Sequence, residues 1–299
     1  MPLIRSAFVV CLSFSAIAGA PAYAATDDPP SVTLTWVGCG ISKKAYMEEA
    51  AALYERKTGV KIAIDGGGAT KGIRQVSSGE TDIGGTCRFT LHNNPEEKNT
   101  TLVPVAWDAL VVIAHPDNPV SDLTLDQVRA IYEGRIANWS ELGGKDAPIH
   151  LLARAGKVSG VGRTVRELVF ADYDKEFPTA ELLPSTGPLE KAVETDANAI
   201  GITGISSARK RNVKILTLEG KDPSYDNILS GAYLLYRPLY LGYKRDGKHV
   251  AQVKDFIQFI HGAEGQAVLR ANGTVPYLEG IHLVRKKMDQ ARTAREQGL

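Results

Sequence analysis

Hydrophobic and polar positions follow two different periods along this chain, and the two periods alternate. Short apolar runs predict strands, whereas apolar residues that recur every three to four positions predict the buried faces of helices. Strands are predicted at 32–37, 60–64, 81–84, 110–114, 149–153, 199–203, 213–218 and 233–243. Helices are predicted at 42–58, 70–76, 124–132, 162–170, 188–195, 250–260 and 266–271. The alternation predicts βαβ units and an α/β fold with a largely parallel sheet.

Hydroxyl side chains mark several predicted helix starts. Ser42 and Thr70 each precede an apolar periodic stretch, as N-cap residues do. Thr124 and Gln127 have the spacing of a capping box. The tail from Arg285 onward is highly charged, which predicts a frayed C-terminus.

Two prolines indicate where the chain leaves one lobe for another. Pro116 and Pro119 follow the apolar run at 110–114, and two prolines this close together end regular structure and stiffen the connection. Sites in such folds lie where strands end and helices begin, so a ligand cleft is expected between the lobes. The predicted domains are lobe 1, residues 25–114 and 229–299, and lobe 2, residues 115–228.

The N-terminal residues have the pattern of an export signal. Arg5 precedes an apolar run at 7–18, and Ala22-Tyr23-Ala24 has the small-x-small pattern of a cleavage site. The run is too short for a membrane span. We therefore expect residues 1–24 to be a secretory signal peptide that directs the chain to the periplasm, and Cys11 to be removed with it.

Charge excludes some classes of partner. Removing Arg5 from the 35 basic residues leaves 34, against 34 acidic residues. This balance indicates neither nucleic acid nor an anionic membrane surface as a partner. The hydrophobic fraction of 43% is ordinary for a globular protein, and the length is enough for one or two domains with a large core.

Three glycine-rich turns, each between a predicted strand and a predicted helix, combine a hydroxyl group with a helix start. They are 38–42 (Gly-Cys-Gly-Ile-Ser), 66–72 (Gly-Gly-Gly-Ala-Thr-Lys-Gly), and Arg154 with 159–162 (Ser-Gly-Val-Gly). Glycine lets backbone N–H groups approach a ligand, and a helix N-terminus carries unpaired donors with partial positive charge. Arg154 adds a charged, planar donor group. One such turn alone is most simply a helix cap, but three in succession predict a cradle for a tetrahedral oxyanion.

Further motifs occur in a fixed order over most of the chain. They are Gly72-Ile73, Thr81-Asp82-Ile83-Gly84, the stretch 123–144 with Asn138-Trp139-Ser140-Glu141-Leu142-Gly143-Gly144, Arg154 with Ser159-Gly160, Ala199-Ile200-Gly201-Ile202, Arg237-Pro238-Leu239-Tyr240 and Gly265-Gln266. From about Thr33 to Tyr277 this order resembles the periplasmic phosphate-binding proteins of ABC importers, in the type II periplasmic binding protein family. The resemblance implies two α/β lobes, each a mixed sheet flanked by helices, that close on phosphate held by neutral donors, an arginine and a carboxylate. Trp139 is expected to pack in the core.

Motif matching with that family implies a set of ligand-binding residues. The set comprises Gly40, Ile41, Ser42, Ala69, Thr70, Cys87, Arg88, Arg154, Ser159, Gly160 and Val161. Three members depart from the family pattern. Cys87 aligns with the aspartate that accepts the proton of hydrogen phosphate, Ala69 with a serine, and Val161 with a threonine. The expected ligand is therefore an inorganic oxyanion, either phosphate or a phosphate-like anion such as arsenate.

Cys39 and Cys87 are the two cysteines of the predicted mature chain, and each follows a predicted strand. Adjacent strands lie about 4.8 Å apart, so a disulfide between these residues is possible in an oxidising compartment. A thiol pair that binds arsenite or another soft ligand for a sensor kinase is the second alternative. Two unrelated buried thiols are the third.

Motifs of the common enzyme classes are missing from the sequence. It contains no Gly-x-Ser-x-Gly elbow, no phosphate-binding P-loop and no His-Glu-x-x-His pair. A binding protein without cofactor or metal is therefore expected, with a phosphatase as the enzyme alternative. We expect a monomer whose closed form is recognised by a permease of an ABC importer or by a sensor kinase.

Overall fold

The computed structural model describes residues 32–296, except for the side chains of 290, 291 and 293–296. The predicted signal peptide lies outside these residues. The strands are β1 (Thr33–Gly38), β2 (Lys61–Asp65), β3 (Ile83–Thr86), β4 (Thr100–Ala114), β5 (Asp122–Leu123), β6 (His150–Arg154), β7 (Glu181–Leu183), β8 (Ala199–Gly204), β9 (Lys214–Ile215), β10 (Thr217–Leu218), β11 (Tyr236–Lys244) and β12 (Val275–Pro276).

Most predicted helices are present, with shifted ends. The helices are α1 (Gly40–Ser42), α2 (Glu48–Thr58), α3 (Gly68–Ser78), α4 (Leu125–Tyr132), α5 (Gly160–Phe170), α6 (Thr186–Thr195), α7 (Ile205–Ala208), α8 (Tyr225–Ser230), α9 (Val250–His261), α10 (Ala263–Ala271) and α11 (Leu283–Glu296). A π-helical stretch, Lys43–Met47, joins α1 and α2 into one helical segment, and a 3₁₀ helix forms at Trp139–Leu142.

Within the described residues a mixed sheet has the strand order β2-β1-β3-β11-β4-β8-β6-β7. The outer pairs are parallel: β1 with β2 and β3, and β6 with β7 and β8. The central pairs are antiparallel, because β11 runs against β3 and β4, and β4 runs against β8. The βαβ units predicted from the sequence are therefore confirmed at the edges, while the expectation of a largely parallel sheet is wrong at the centre.

The long strand β4 connects the two halves of the sheet. Its first part pairs with β11 from Thr100 to Ala109, and its last part pairs with β8 from Leu110 to Ala114. The change of partner at Leu110 comes before the predicted lobe boundary at 114/115. Those exact lobe limits remain a prediction.

Three helix starts or ends differ from their predictions for local reasons. Cys39, not Ser42, is the N-cap of the first helical segment, because its sulfur accepts a hydrogen bond from the Ser42 backbone N–H at 3.3 Å. Gly67, with a φ of 132°, precedes α3 in place of Thr70. Residues from Arg285 to Glu296 lie in α11, so the frayed tail predicted there is wrong over this range. The capping box of Thr124 and Gln127 is confirmed.

Small residues let the first strands and α3 approach closely. A Cβ on Gly72 would stand 2.5 Å from the backbone oxygen of Val37, and one on Gly84 would stand 2.8 Å from the oxygen of Gly72. The ring of Trp36 is fully buried against Gly38 and Gly85. This packing fixes the ends of β1 and β3, from which the chain enters the site.

The Asn138-Trp139 segment has a packing role. Trp139 is buried and its indole N–H donates to the backbone oxygen of Asn198 at 3.0 Å. Asn138 and Glu141 form a second capping box around it. Across residues 32–296, no helix combines the length and the apolar character needed to cross a lipid bilayer.

Candidate ligand-binding cleft

A cleft of about 630 Å³ opens where four strand-to-helix turns meet. The turns follow β1, β2, β6 and β7, and Cys87 joins them from the end of β3. The cleft is lined by Cys39, Gly40, Ile41, Gly66, Gly67, Gly68, Ala69, Thr70, Cys87, Arg154, Ala155, Gly156, Val158, Ser159, Gly160, Val161, Pro184, Ser185, Thr186 and Gly187. The N-termini of α3, α5 and α6 therefore all point their unpaired N–H groups toward one space.

The structure brings most of the predicted ligand-binding residues together at this cleft. Nine of them line it: Gly40, Ile41, Ala69, Thr70, Cys87, Arg154, Ser159, Gly160 and Val161. Ser42 and Arg88 do not. Ser42 is fully buried, and its hydroxyl lies 3.1 Å from the sulfur of Cys39 instead of lining the cleft.

Arg88 lies behind the cleft in a buried ion pair. Its guanidinium donates to both carboxylate oxygens of Glu97, at 2.9 and 2.7 Å, and both side chains are almost completely buried. Its Nε donates to the backbone oxygen of Val158 at 2.9 Å. Arg88 therefore holds the loop after β6 against the end of β3.

The turn after β6 leads directly into α5, and the first turn of α5 is tightly packed. Ser159 is the N-cap of α5, since its hydroxyl accepts from the Gly162 N–H at 3.2 Å and donates to the Gly156 oxygen at 3.1 Å. A Cβ on Gly160 would stand 2.4 Å from the sulfur of Cys87. The first turn of α5 thus lies directly against the Cys87 thiol.

Arg154 is the only residue with a formal positive charge among the described residues that line the cleft. Its Nη1 donates to the backbone oxygen of Leu183 at 2.6 Å, which fixes the direction of the side chain. Its Nε is buried and has no hydrogen-bond partner in the described part of the chain. Burial lowers the pKa of Arg154, and the neighbouring Cys87 acts in the opposite direction. A buried, unpaired guanidinium donor at a cleft suits an oxygen-bearing ligand.

The two cysteines meet at the base of the cleft as free thiols, so no disulfide joins them in the structure. The parallel strands β1 and β3 are paired up to Gly38 and Gly85, and Cys39 follows this pair by one residue and Cys87 by two. A hydrogen bond from the Cys87 thiol lowers the pKa of Cys39 to about 6, although burial by itself would raise it. The same hydrogen bond, together with burial, raises the pKa of Cys87.

A second buried ion pair lies beneath the thiols. It was not predicted from the sequence to belong to the site. Arg237 on β11 and Asp108 on β4 are almost completely buried, 3.3 Å apart. Arg237 also donates to the hydroxyl of Thr164 on α5 at 3.2 Å. Its positive charge favours the Cys39 thiolate, and burial raises the pKa of Asp108 to about 6. The only sequence signal was the position of Arg237 in an otherwise apolar predicted strand.

The fourth turn, residues 184–187, was also not predicted from the sequence to line the cleft. Ser185 is the N-cap residue of α6, but its side chain makes no capping hydrogen bond. Its hydroxyl, with that of Thr186, lines the cleft. Ser185-Thr186-Gly187 has the same combination of hydroxyl, glycine and helix start as the three turns that were recognised, so the signal was present.

Comparison with known proteins identifies the family of this chain. A family model described as a PBP superfamily domain matches residues 24–264, most of the chain. The chain belongs to the PBP superfamily. The two-lobed α/β fold predicted from the sequence is thereby confirmed, since solved phosphate-binding members of the superfamily share this architecture.

Three similar proteins illustrate the match. A Clostridium perfringens substrate-binding protein assigned to a phosphate ABC transporter, solved with bound phosphate, is 30% identical, with a TM-score of 0.74 over 82% of this chain and 99% of that one. An ABC-type phosphate transport receptor from Vibrio cholerae is 28% identical, with a TM-score of 0.62 over 81% of this chain and 99% of that one. The phosphate-binding protein PstS of Bacillus subtilis is 25% identical over 84% of this chain and 82% of its own length.

Proposed function

We propose that this chain is a periplasmic solute-binding protein that captures phosphate, or a phosphate-like tetrahedral oxyanion such as arsenate, and delivers it to a permease of an ABC importer. The observation that carries the proposal is the convergence of three helix N-termini and Arg154 on one cleft. The names of the Clostridium and Bacillus relatives support the ligand class. A sensor kinase is the alternative membrane partner.

The chemistry of the cleft fits an anion that is bound and released unchanged. The described residues that line it offer backbone N–H groups, four hydroxyl side chains and one guanidinium. None of these lining residues is histidine, aspartate or glutamate, so a general acid or base of the kind that phosphatases use is missing from this lining. We therefore propose binding without turnover, and a chromogenic phosphoester should not be hydrolysed.

Calorimetric titration of the mature protein tests the proposal. Phosphate and arsenate should bind one ion per chain, because they share shape and charge. Replacing Arg154 with methionine should weaken binding by about tenfold to a hundredfold, the usual effect of losing a hydrogen bond to a charged group. Arg154→Lys is the matched control, since it keeps the charge and loses the planar fork, and it should lose less.

Two results would overturn the proposal. One is the lack of any heat or competition signal from phosphate and arsenate with a folded protein. The other is binding that is the same in Arg154→Met as in the original chain, because the anion would then lie outside this cleft.

A further inference from the structure

We propose that Cys39 and Cys87, here called the thiol pair, form a second binding site in this cleft. This site is specific for arsenite, the trivalent arsenic oxyacid. The pair would bind arsenic by replacing two of its three hydroxyl groups. This inference uses the cleft of the proposed function but does not depend on which anion that function involves.

The geometry presents both sulfur atoms to the same ligand space. Both cysteines line the cleft, and each is the first residue after one of two adjacent parallel strands, β1 and β3. The two thiols lie close enough for each to shift the pKa of the other. Cys87 also lies against Gly160 at the start of α5, which places it between the turns that would enclose a ligand.

The surroundings hold one member of the pair, Cys39, in its reactive form, whereas they raise the pKa of Cys87. Cys39 is oriented by Ser42, whose backbone N–H donates to its sulfur at 3.3 Å and whose hydroxyl lies 3.1 Å away. Arg237 acts on both thiols as a positive charge, and Arg154 acts on Cys87. Thiolate is the ligand form of cysteine and selects soft partners.

A donor for oxygen distinguishes arsenite from the other soft ligands. A copper(I), silver or mercury(II) ion held by the two thiolates carries no oxygen of its own, so it would leave the buried Nε of Arg154 without a partner. Within residues 32–296 no group of three or more histidine, cysteine, aspartate or glutamate side chains is placed to hold a metal ion of higher coordination. Arsenite is a neutral hydroxide at neutral pH, and after two thiols have bound it keeps one oxygen that this donor can hold.

The binding step balances without any oxidant or reductant. Two arsenic–oxygen bonds break and two arsenic–sulfur bonds form, while each departing hydroxyl leaves as water with the proton of one thiol. When Cys39 is already a thiolate, solvent supplies that proton. Arsenic remains trivalent and keeps one hydroxyl group, whose oxygen can accept from the unpartnered Nε of Arg154.

Calorimetry with sodium arsenite tests this assignment on the full mature chain. The protein is kept reduced with a phosphine, because dithiol reductants bind arsenite themselves. The original chain should bind one arsenite, and Cys39→Ser and Cys87→Ser should each bind at least about 100-fold more weakly, because each loses one of two ligand atoms. Each variant keeps one thiol and therefore controls for attachment to a single sulfur. Circular dichroism establishes that the variants are folded.

A spectroscopic measurement keeps the test decisive if a variant fails to fold. X-ray absorption at the arsenic edge of the original complex should show two sulfur neighbours and one oxygen neighbour. Oxygen neighbours alone would overturn the inference, as would equal arsenite affinity in a folded serine variant. If the protein binds phosphate, a saturating excess of phosphate should weaken arsenite binding, and unaffected binding would then place the arsenic elsewhere.

The two proposals fail in different ways. Binding of phosphate without arsenite would refute the thiol site and leave the oxyanion function intact. If the protein binds arsenite through sulfur but binds neither phosphate nor arsenate, the oxyanion function is refuted and the thiol site stands.

Discussion

The hydroxyl of Thr70 donates a hydrogen bond to the backbone oxygen of Val158 across 2.9 Å. Thr70 lies in the first turn of α3, which follows β2, and Val158 lies in the turn after β6, so this contact joins the two walls of the cleft. The same hydroxyl accepts from Nη2 of Arg88 at 3.1 Å. The hydroxyl predicted from the sequence to bind the ligand therefore donates its one proton to a contact across the cleft.

Replacing Thr70 with valine should loosen this closure. The substitution keeps the shape and removes the hydroxyl, while Arg88 retains Glu97 as a partner. The free energy of unfolding should fall by about 1 kcal/mol, the typical value of one hydrogen bond. Urea unfolding measures it, and Thr70→Ser, which keeps the hydroxyl, should lose clearly less. An equal loss in both variants would contradict a role for this hydrogen bond.

A methyl group on Gly160 should damage the site from within. Its Cβ would stand 2.4 Å from the Cys87 sulfur and 3.2 Å from the Ala69 Cβ, so α5 must shift. Overpacking of this kind costs about 1–3 kcal/mol. We expect Gly160→Ala to unfold at lower denaturant and to bind phosphate more weakly.

Gly40→Ala is the control for this crowding. It adds the same methyl group on the opposite wall, where nothing lies within 4 Å. Its loss of stability should be smaller than that of Gly160→Ala. A reversed order of the two stabilities would show that the contact with Cys87 is not the cause.

The buried pair of Asp108 and Arg237 should be sensitive to the loss of one partner. Asp108→Asn leaves the Arg237 charge buried without its counter-ion, which typically costs about 3–5 kcal/mol. A double variant, Asp108→Asn with Arg237→Met, removes both charges and should recover much of that loss. Thermal unfolding of the two variants checks this, and a double variant less stable than Asp108→Asn alone would refute the explanation.

The acidity of Cys39 should depend on its neighbour. With a pKa of about 6, Cys39 is deprotonated at neutral pH and becomes protonated as pH falls through that value. The ultraviolet absorbance of the thiolate should therefore titrate near pH 6. Cys87→Ala removes the donor and should move the transition to higher pH, whereas Cys87→Ser keeps an O–H donor and should move it less. Identical transitions in both variants would exclude the hydrogen bond as the cause.

Stability should change with pH at His150. Its Nδ1 lies 2.6 Å from Asp196 and its Nε2 lies 3.0 Å from Glu181, and the hydrogen bond with Asp196 raises its pKa above the ordinary value of 6.5. Because the folded pKa is the higher one, the added stability is fully present below the unfolded pKa and is lost as pH rises through the folded pKa. The advantage of the original chain over His150→Gln in urea should be greater near pH 6 than near pH 8. A pH-independent difference would contradict this.

Local patterns predicted most of the individual elements. The capping box at Thr124 depends only on residues three positions apart, so it could be recognised from the sequence. The strands of β1, β6 and β8 were recognised within two residues of their ends for the same reason. The start of the first helix was misplaced because the sulfur of Cys39, a weak acceptor, replaced the expected hydroxyl of Ser42.

Partners distant along the chain could not be read from the sequence. Thr70 and Val158 are 88 positions apart, and Asp108 and Arg237 are 129 apart. Which polar side chain faces the cleft and which turns inward depends on these contacts. That is why Arg88 was predicted as a ligand contact yet lies in an ion pair with Glu97.

By itself, the sequence determined the alternation of strands and helices, the glycine-rich turns and the family, because each depends on the order of nearby residues. The tertiary structure alone decided that two cysteines, 48 positions apart in the sequence, line one cleft beside four helix starts. Pairing of β1 with β3 produces that neighbourhood, and burial beside Arg237 sets its charge. Electrostatics and proximity in a folded chain depend on distance through space, which the linear order of residues does not contain.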